Sequence, residues 1–141
     1  MEANGSYLMK IKGTQVVDGE STTIEYTTRG SMDFSGDGAT LTYLDPSQSE
    51  ERMDTVLEIE QNRVTLSRTD NVRPDLIIES GQRHLCHYET DYGALLMGIS
   101  ANMVKYHLSP EGGEIHLRYT LDINSYVKSE NELWIHVTLA H

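Results

Sequence analysis

The sequence predicts an all-β fold, an antiparallel up-and-down barrel of about 8–10 strands with little helix. Three observations carry this. Apolar and polar residues alternate with period two in segment after segment, and each such segment presents one apolar and one wet face. Residues that tolerate positive φ punctuate the segments at short, fairly regular intervals, which favours hairpins over crossover connections. Finally, β-branched residues and Tyr fill the alternating stretches, as pleated surfaces prefer. The segments number about ten to twelve and take up more than half the chain, an unusual share for an open domain but ordinary for a barrel. Closure also removes the sticky edges that a long meander would expose.

The elements follow in order. In residues 7–12, Tyr7, Met9 and Ile11 fall on one face while Lys10 and Lys12 fall on the other. Residues 22–28 place Thr22, Ile24, Tyr26 and Thr28 together. The pattern returns over 56–59, 63–67, 83–88, 105–108, 115–121 and 133–139, and more weakly over 32–34, 40–44, 76–78 and 94–99. Between them lie the turn signals Asp18-Gly19, Gly36-Asp37-Gly38, Gln61-Asn62, Gly81-Gln82, Asp91-Tyr92-Gly93 and Gly112-Gly113. The one helical signal is Asp45-Pro46-Ser47 running into Glu50-Glu51-Arg52, since Pro suits the first position of a helical turn.

The chain's 141 residues suit one domain spanning 1–141, long enough to bury a core without staples. With 11 Lys and Arg against 22 Asp and Glu, the formal charge is −11. Nucleic acid and anionic membranes want a basic face, so neither is the expected partner; a basic protein is the complementary one. A single Cys forms no internal disulfide, and residues 1–6 lack the basic and apolar regions of a secretory signal. The longest apolar run, residues 93–99, is 7 residues long, against the roughly 20 needed to span a bilayer. The expectation is a cytoplasmic protein.

One hairpin predicts a register. If residues 110–113 form a four-residue loop, Leu108 pairs with Ile115, His107 with His116 and Lys105 with Arg118. Tyr106, Leu117 and Tyr119 then face inward and both His outward. A neighbouring last strand adds His136, and three imidazoles on adjacent strands are a zinc-type donor set. The alternative is an ordinary wet face, and a slip of one residue abolishes the cluster. His84 and Cys86 share a face, yet i and i+2 lie some 6.5–7 Å apart along a strand, too far for direct activation of the thiol. Carboxylates are plentiful, but no pair is placed for acid–base work, and the Gly-rich stretches lack the Lys and following helix of a phosphate loop. The aromatic usage says more: 8 Tyr against 1 Phe and 1 Trp. An inward Tyr carries a hydroxyl that needs a partner, so Tyr26, Tyr43, Tyr88, Tyr106 and Tyr119, with Arg83, either line a polar cavity or sit at the rim.

Particular strings then become recognisable. They are Ile11-Lys12-Gly13-Thr14-Gln15 followed by Asp18-Gly19-Glu20, Glu79-Ser80-Gly81-Gln82-Arg83, and Tyr88-Glu89-Thr90-Asp91-Tyr92-Gly93 with Met97-Gly98-Ile99-Ser100. Glu111-Gly112-Gly113, Tyr119-Thr120-Leu121-Asp122 and Ser129-Glu130-Asn131-Glu132-Leu133 complete the set. In this order they resemble the YwiB-like family of small bacterial proteins of unknown function, over about Leu8 to Val137. That resemblance implies a calycin-like, lipocalin-like barrel in the cytoplasm, with no established activity, cofactor or catalytic residue to carry over. Arg68-Thr69-Asp70 departs from the family's usual Arg-x-Gly, so no role is given to that turn.

The expected function is binding of a small, partly polar molecule inside the barrel, lined by Arg83, Tyr88, Tyr106 and Tyr119. Arg83 would pair with a carboxylate or phosphate through its fixed fork of donors. The alternative is a filled barrel that docks a basic protein through its acidic surface. No cofactor and no metal is expected, a wet face being the preferred reading of the His107, His116 and His136 cluster, and no enzymatic constellation is visible.

Overall fold

Period two becomes ten strands in the computed structural model, which describes residues 7–36, 38–44, 54–68, 76–90, 93–123 and 127–140. They are β1 (Tyr7–Val17), β2 (Glu20–Ser35), β3 (Gly38–Leu44), β4 (Asp54–Glu60), β5 (Arg63–Arg68), β6 (Leu76–Glu79), β7 (Arg83–Thr90), β8 (Gly93–Ser109), β9 (Gly112–Ile123) and β10 (Val127–Leu139). Their order in the sheet is β6-β5-β4-β3-β2-β1-β10-β9-β8-β7. All neighbours run antiparallel, and the first and last strands pair along their length. β6 packs against β7 and β8, and one parallel bridge, Ser80 to Ala101, spans the seam. The result is a nearly closed barrel, with no helix among the described residues. The helical turn expected over 45–52 lies outside the described residues.

Two pairs of expected segments are single long strands. Residues 22–28 and 32–34 both belong to β2, where Gly30 occupies an inward position and its missing side chain breaks the alternation. Residues 94–99 and 105–108 both belong to β8, which carries a bulge between Ala101 and Met103. The extra residue reverses the phase, so Met97, Ile99 and Ala101 face inward before it and Val104, Tyr106 and Leu108 after it.

The expected 110–113 loop is also corrected. Ser109 pairs with Gly112, so Pro110-Glu111 alone makes the turn, and Tyr106 rather than Leu108 lies opposite Ile115. The slip is two residues, which keeps every side chain on its predicted face while changing its partner. Gly112 and Gly113 are strand residues with φ of 128° and 143°. A Cβ on Gly112 would overlap the Val137 carbonyl and one on Gly113 the His107 carbonyl. These glycines serve a close backbone approach, not a wide loop. Tyr7 ties the same turn down, its hydroxyl donating to the Pro110 carbonyl at 2.8 Å.

Inside, Met9, Leu41, Leu57, Ile59, Ile99, Ile115, Leu117 and Ile135 are fully buried. Each contributes about 1.5–3 kcal/mol by leaving water.

Candidate functional site

Toward the β1–β2 hairpin the inward residues become small or polar, and the barrel stops being filled. Register places Thr22, Gln15, Asn131, Tyr119 and Ala101 in one row across β2, β1, β10, β9 and β8. The next row inward contains Ile24, Gly13, Leu133, Leu117 and Val104. Gly13 contributes no side chain, and a Cβ built there meets only the Leu133 Cδ1 atom, at 3.9 Å. Thr22, Gln15, Asn131 and Tyr119 of the first row and Ile24, Gly13 and Leu133 of the second, with Tyr26, Tyr43 and Leu66, bound an open cavity of about 430 Å³.

Asn131 forms its polar wall. Its Nδ2 donates to the Ser129 Oγ at 3.1 Å, the Ser129 carbonyl at 3.3 Å and the Tyr119 carbonyl at 3.5 Å. Burial pushes the Tyr119 phenol above its ordinary pKa, because a phenolate there would lose its hydration. Glu132, at the rim, is the single charged residue among those lining the cavity. Its carboxylate is held toward the outer face by His116 and Arg118.

Tyr119 therefore lines the cavity, as do Tyr26 and Tyr43. Tyr106 faces inward but packs against the core away from those residues. Tyr88 stands opposite Leu95 in β7, and its side chain lies outside the described residues. Arg83 is on the opposite face. It pairs with Ser100, lies across Gly98, and grips Asp122 through Nη2 at 2.7 Å and Nε at 3.3 Å. Asp122 is buried there and Arg83 remains 44% exposed. Alternation along β7 turned Arg83 outward, so its fork of donors serves the wall rather than a ligand. His84 and Cys86 occupy the inward positions of β7, where His84 engages Glu79 at 2.8 Å and Cys86 is half-buried opposite Met97.

The three outward imidazoles are separated by the corrected register. His107 stands opposite Glu114, and Glu114 opposite His136, while His116 lies one row away between Lys105 and Trp134. His116 stacks on the Trp134 indole with ring centroids 3.5 Å apart and planes 14° apart, and its Nε2 bonds the Glu132 carboxylate. That bond, with Arg118 behind it, holds Glu132 below the usual carboxylate range. Among the described residues no group of three His, Cys, Asp or Glu is arranged to hold a metal ion.

Gly13, Gln15 and Asn131 were not found by sequence reasoning. Their signal was present in the period-two positions, two and four residues beyond Ile11 and two before Leu133, on strands whose apolar alternation had already ended.

The comparisons agree with this architecture. A family model described as a domain of unknown function, DUF1934, matches residues 9–135. The crystal structure of the ywiB protein from Bacillus subtilis superimposes with a TM-score of 0.81 at 18% identity, covering 96% of this chain and 92% of that one. At that identity the likeness shows the fold, and the expected YwiB-like barrel is borne out. No curated protein matches the chain. No helix among the described residues is long and apolar enough to cross a membrane.

Proposed function

The chain belongs to the DUF1934 family, which is of unknown function, and from its cavity we propose that it binds a small, uncharged, partly polar molecule inside the barrel. The observation that carries this reading is the cavity of about 430 Å³ walled by Tyr26, Tyr43, Tyr119 and Asn131. Ring faces and aliphatic side chains give such a ligand apolar contact, and Asn131 and the Tyr119 hydroxyl offer oriented hydrogen bonds. With Arg83 outside, no described cation supports recognition of a carboxylate or phosphate in the interior. A buried unpaired anion is costly, so the interior favours a neutral group.

Native mass spectrometry of freshly purified protein, set against the denatured mass, tests the reading. The expected result is a reproducible adduct that denaturation removes, with a mass that identifies the ligand. Gly13→Leu supplies the control, since its side chain projects into the cavity from a position with open space around it. The variant should fold and lose the adduct. An adduct that survives in Gly13→Leu places binding elsewhere, and a bare wild-type mass counts against the reading.

A second reading draws on the outer face of β2–β5, where Asp33 and Glu58 are exposed and Glu60, also exposed, is ion-paired to Arg63. This acidic surface supports docking of a basic protein, with affinity that falls as salt rises.

A further inference from the structure

The outer face of β8, β9, β10 and β1 carries a charge distribution unlike that of the chain as a whole. Two adjacent cross-strand rows run Lys105, His116, Trp134, Lys12 and His107, Glu114, His136, Lys10. Three of the chain's four Lys, three of its 6 His and its 1 Trp stand in these eight positions, in a protein of net charge −11. One acid, Glu114, lies within the rows, and Glu25 faces Lys12 from β2. The nearby Glu132 is engaged by His116 and Arg118. A groove of about 590 Å³ lies over this face, bounded by Lys105, His107, Glu114, His116 and Trp134 together with neighbouring β8 residues.

We propose that this groove is a binding site for a small molecule carrying an aromatic ring and an anionic group. Trp134, 39% exposed on a wet β-face, supplies a flat apolar wall. That wall is set in advance, because His116 stacks on the indole and is itself held by Glu132. Lys105 stands beside His116 in the same row and His107 in the next, so a ring laid against the stacked His116–Trp134 pair on the Lys105 side presents its anionic group to both. Size follows from the charge distribution. Over a Debye length of about 8 Å a small anion feels the local lysines, whereas a long polyanion also meets the acidic remainder of the surface. The groove thus selects a compact ligand over a nucleic acid strand.

The single Trp makes the site directly observable, since its indole N–H gives one cross-peak in a proton–nitrogen correlation spectrum. Phenyl phosphate is the probe, with benzyl alcohol and inorganic phosphate as the ring-only and charge-only controls. The expected result is a saturable shift of the indole peak below ~10 mM phenyl phosphate, weakened about fivefold or more in Lys105→Ala. Lys105 is exposed, so the variant retains the fold. Binding should persist in Gly13→Leu, which separates this site from the cavity. An indole peak that stays still overturns the proposal. So does one that moves as far with benzyl alcohol, one indifferent to Lys105→Ala, or one silenced by Gly13→Leu.

Discussion

Gly98 and Arg83 form a pair whose mutational signs can be derived from the structure. Gly98 lies on β8 beside Arg83 of β7, and a Cβ added there would enter the space of the guanidinium. The obstruction is the far end of a flexible side chain, so Arg83 moves aside and the cost becomes the loss of its two bonds to Asp122. Hydrogen bonds to charged groups contribute about 1.5–3 kcal/mol. Arg83 is 44% exposed and regains water when released, while Asp122 is buried and does not, so Arg83→Ala should cost about 2 kcal/mol. Gly98→Ala loses the same pair but gains about 0.5–1 kcal/mol from a better strand residue, for a net cost of about 1 kcal/mol. In the Arg83→Ala background the obstruction is gone, and Gly98→Ala should then stabilise by about 0.5–1 kcal/mol. Urea denaturation of the four proteins reads the cycle directly, and each kcal/mol corresponds to about 2–4 °C in Tm for a domain of this size. If Gly98→Ala changes stability by the same amount in both backgrounds, Arg83 does not lie across Gly98, and its removal from the interior fails as an argument.

Gly113→Ala should destabilise by about 1–3 kcal/mol from backbone strain alone, with the overlap on the His107 carbonyl adding to it; urea unfolding with an unchanged m-value checks this. Glu132 titrates below the glutamate range because His116 and Arg118 bond its carboxylate, so its contribution to stability is present above the unfolded pKa near 4.5 and fades as pH falls through the folded value. Carboxyl NMR titration should show that low midpoint, and His116→Ala should raise it. Tyr119 has the opposite dependence: its folded pKa lies above 10, so stability is full below pH 10 and declines as pH rises from there through the folded value. Ultraviolet tyrosinate titration should show a late-ionising tyrosine that Tyr119→Phe removes.

Much of the fold was legible because one face of almost every strand packs on an apolar core. Met9 and Ile11, Ile115 and Leu117, and Ile135 and Val137 are all buried on the faces that alternation assigns them. What escaped had local causes. The bulge at residues 101–103 reverses the phase of β8, so one strand reads as two. The positive φ of Gly112 and Gly113 looks like loop chemistry in a sequence, although both sit in the ladder. The site was harder for a reason built into sites of this kind. Cavity-lining positions such as Gly13, Gln15, Thr22 and Asn131 are small or polar, and these residues end the apolar alternation by which strands are found. Tyrosines kept the signal because the ring reads as apolar, so Tyr119, Tyr26 and Tyr43 were visible where Asn131 was not. Arg83 misled in the other direction, since its chemistry suggested an anion while the parity of β7 pointed it away from the interior.

The cavity and the outer groove share a wall one strand thick. On β10, Leu133 borders the cavity and Trp134 the groove; on β9, Tyr119 borders the cavity and His116 the groove, three residues apart. Closed barrels make such back-to-back arrangements unavoidable, because successive residues point to opposite sides of a single layer. The two sites can therefore couple through the backbone even though no side chain belongs to both. Coupling has to be reciprocal: if a ligand in the cavity changes the groove's affinity for an anion, the anion changes the cavity's affinity by the same factor. An indole shift on cavity filling alone thus does not establish groove occupancy. The effects of Lys105→Ala and Gly13→Leu decide between them, because one alters charge only on the outer face and the other alters volume only inside.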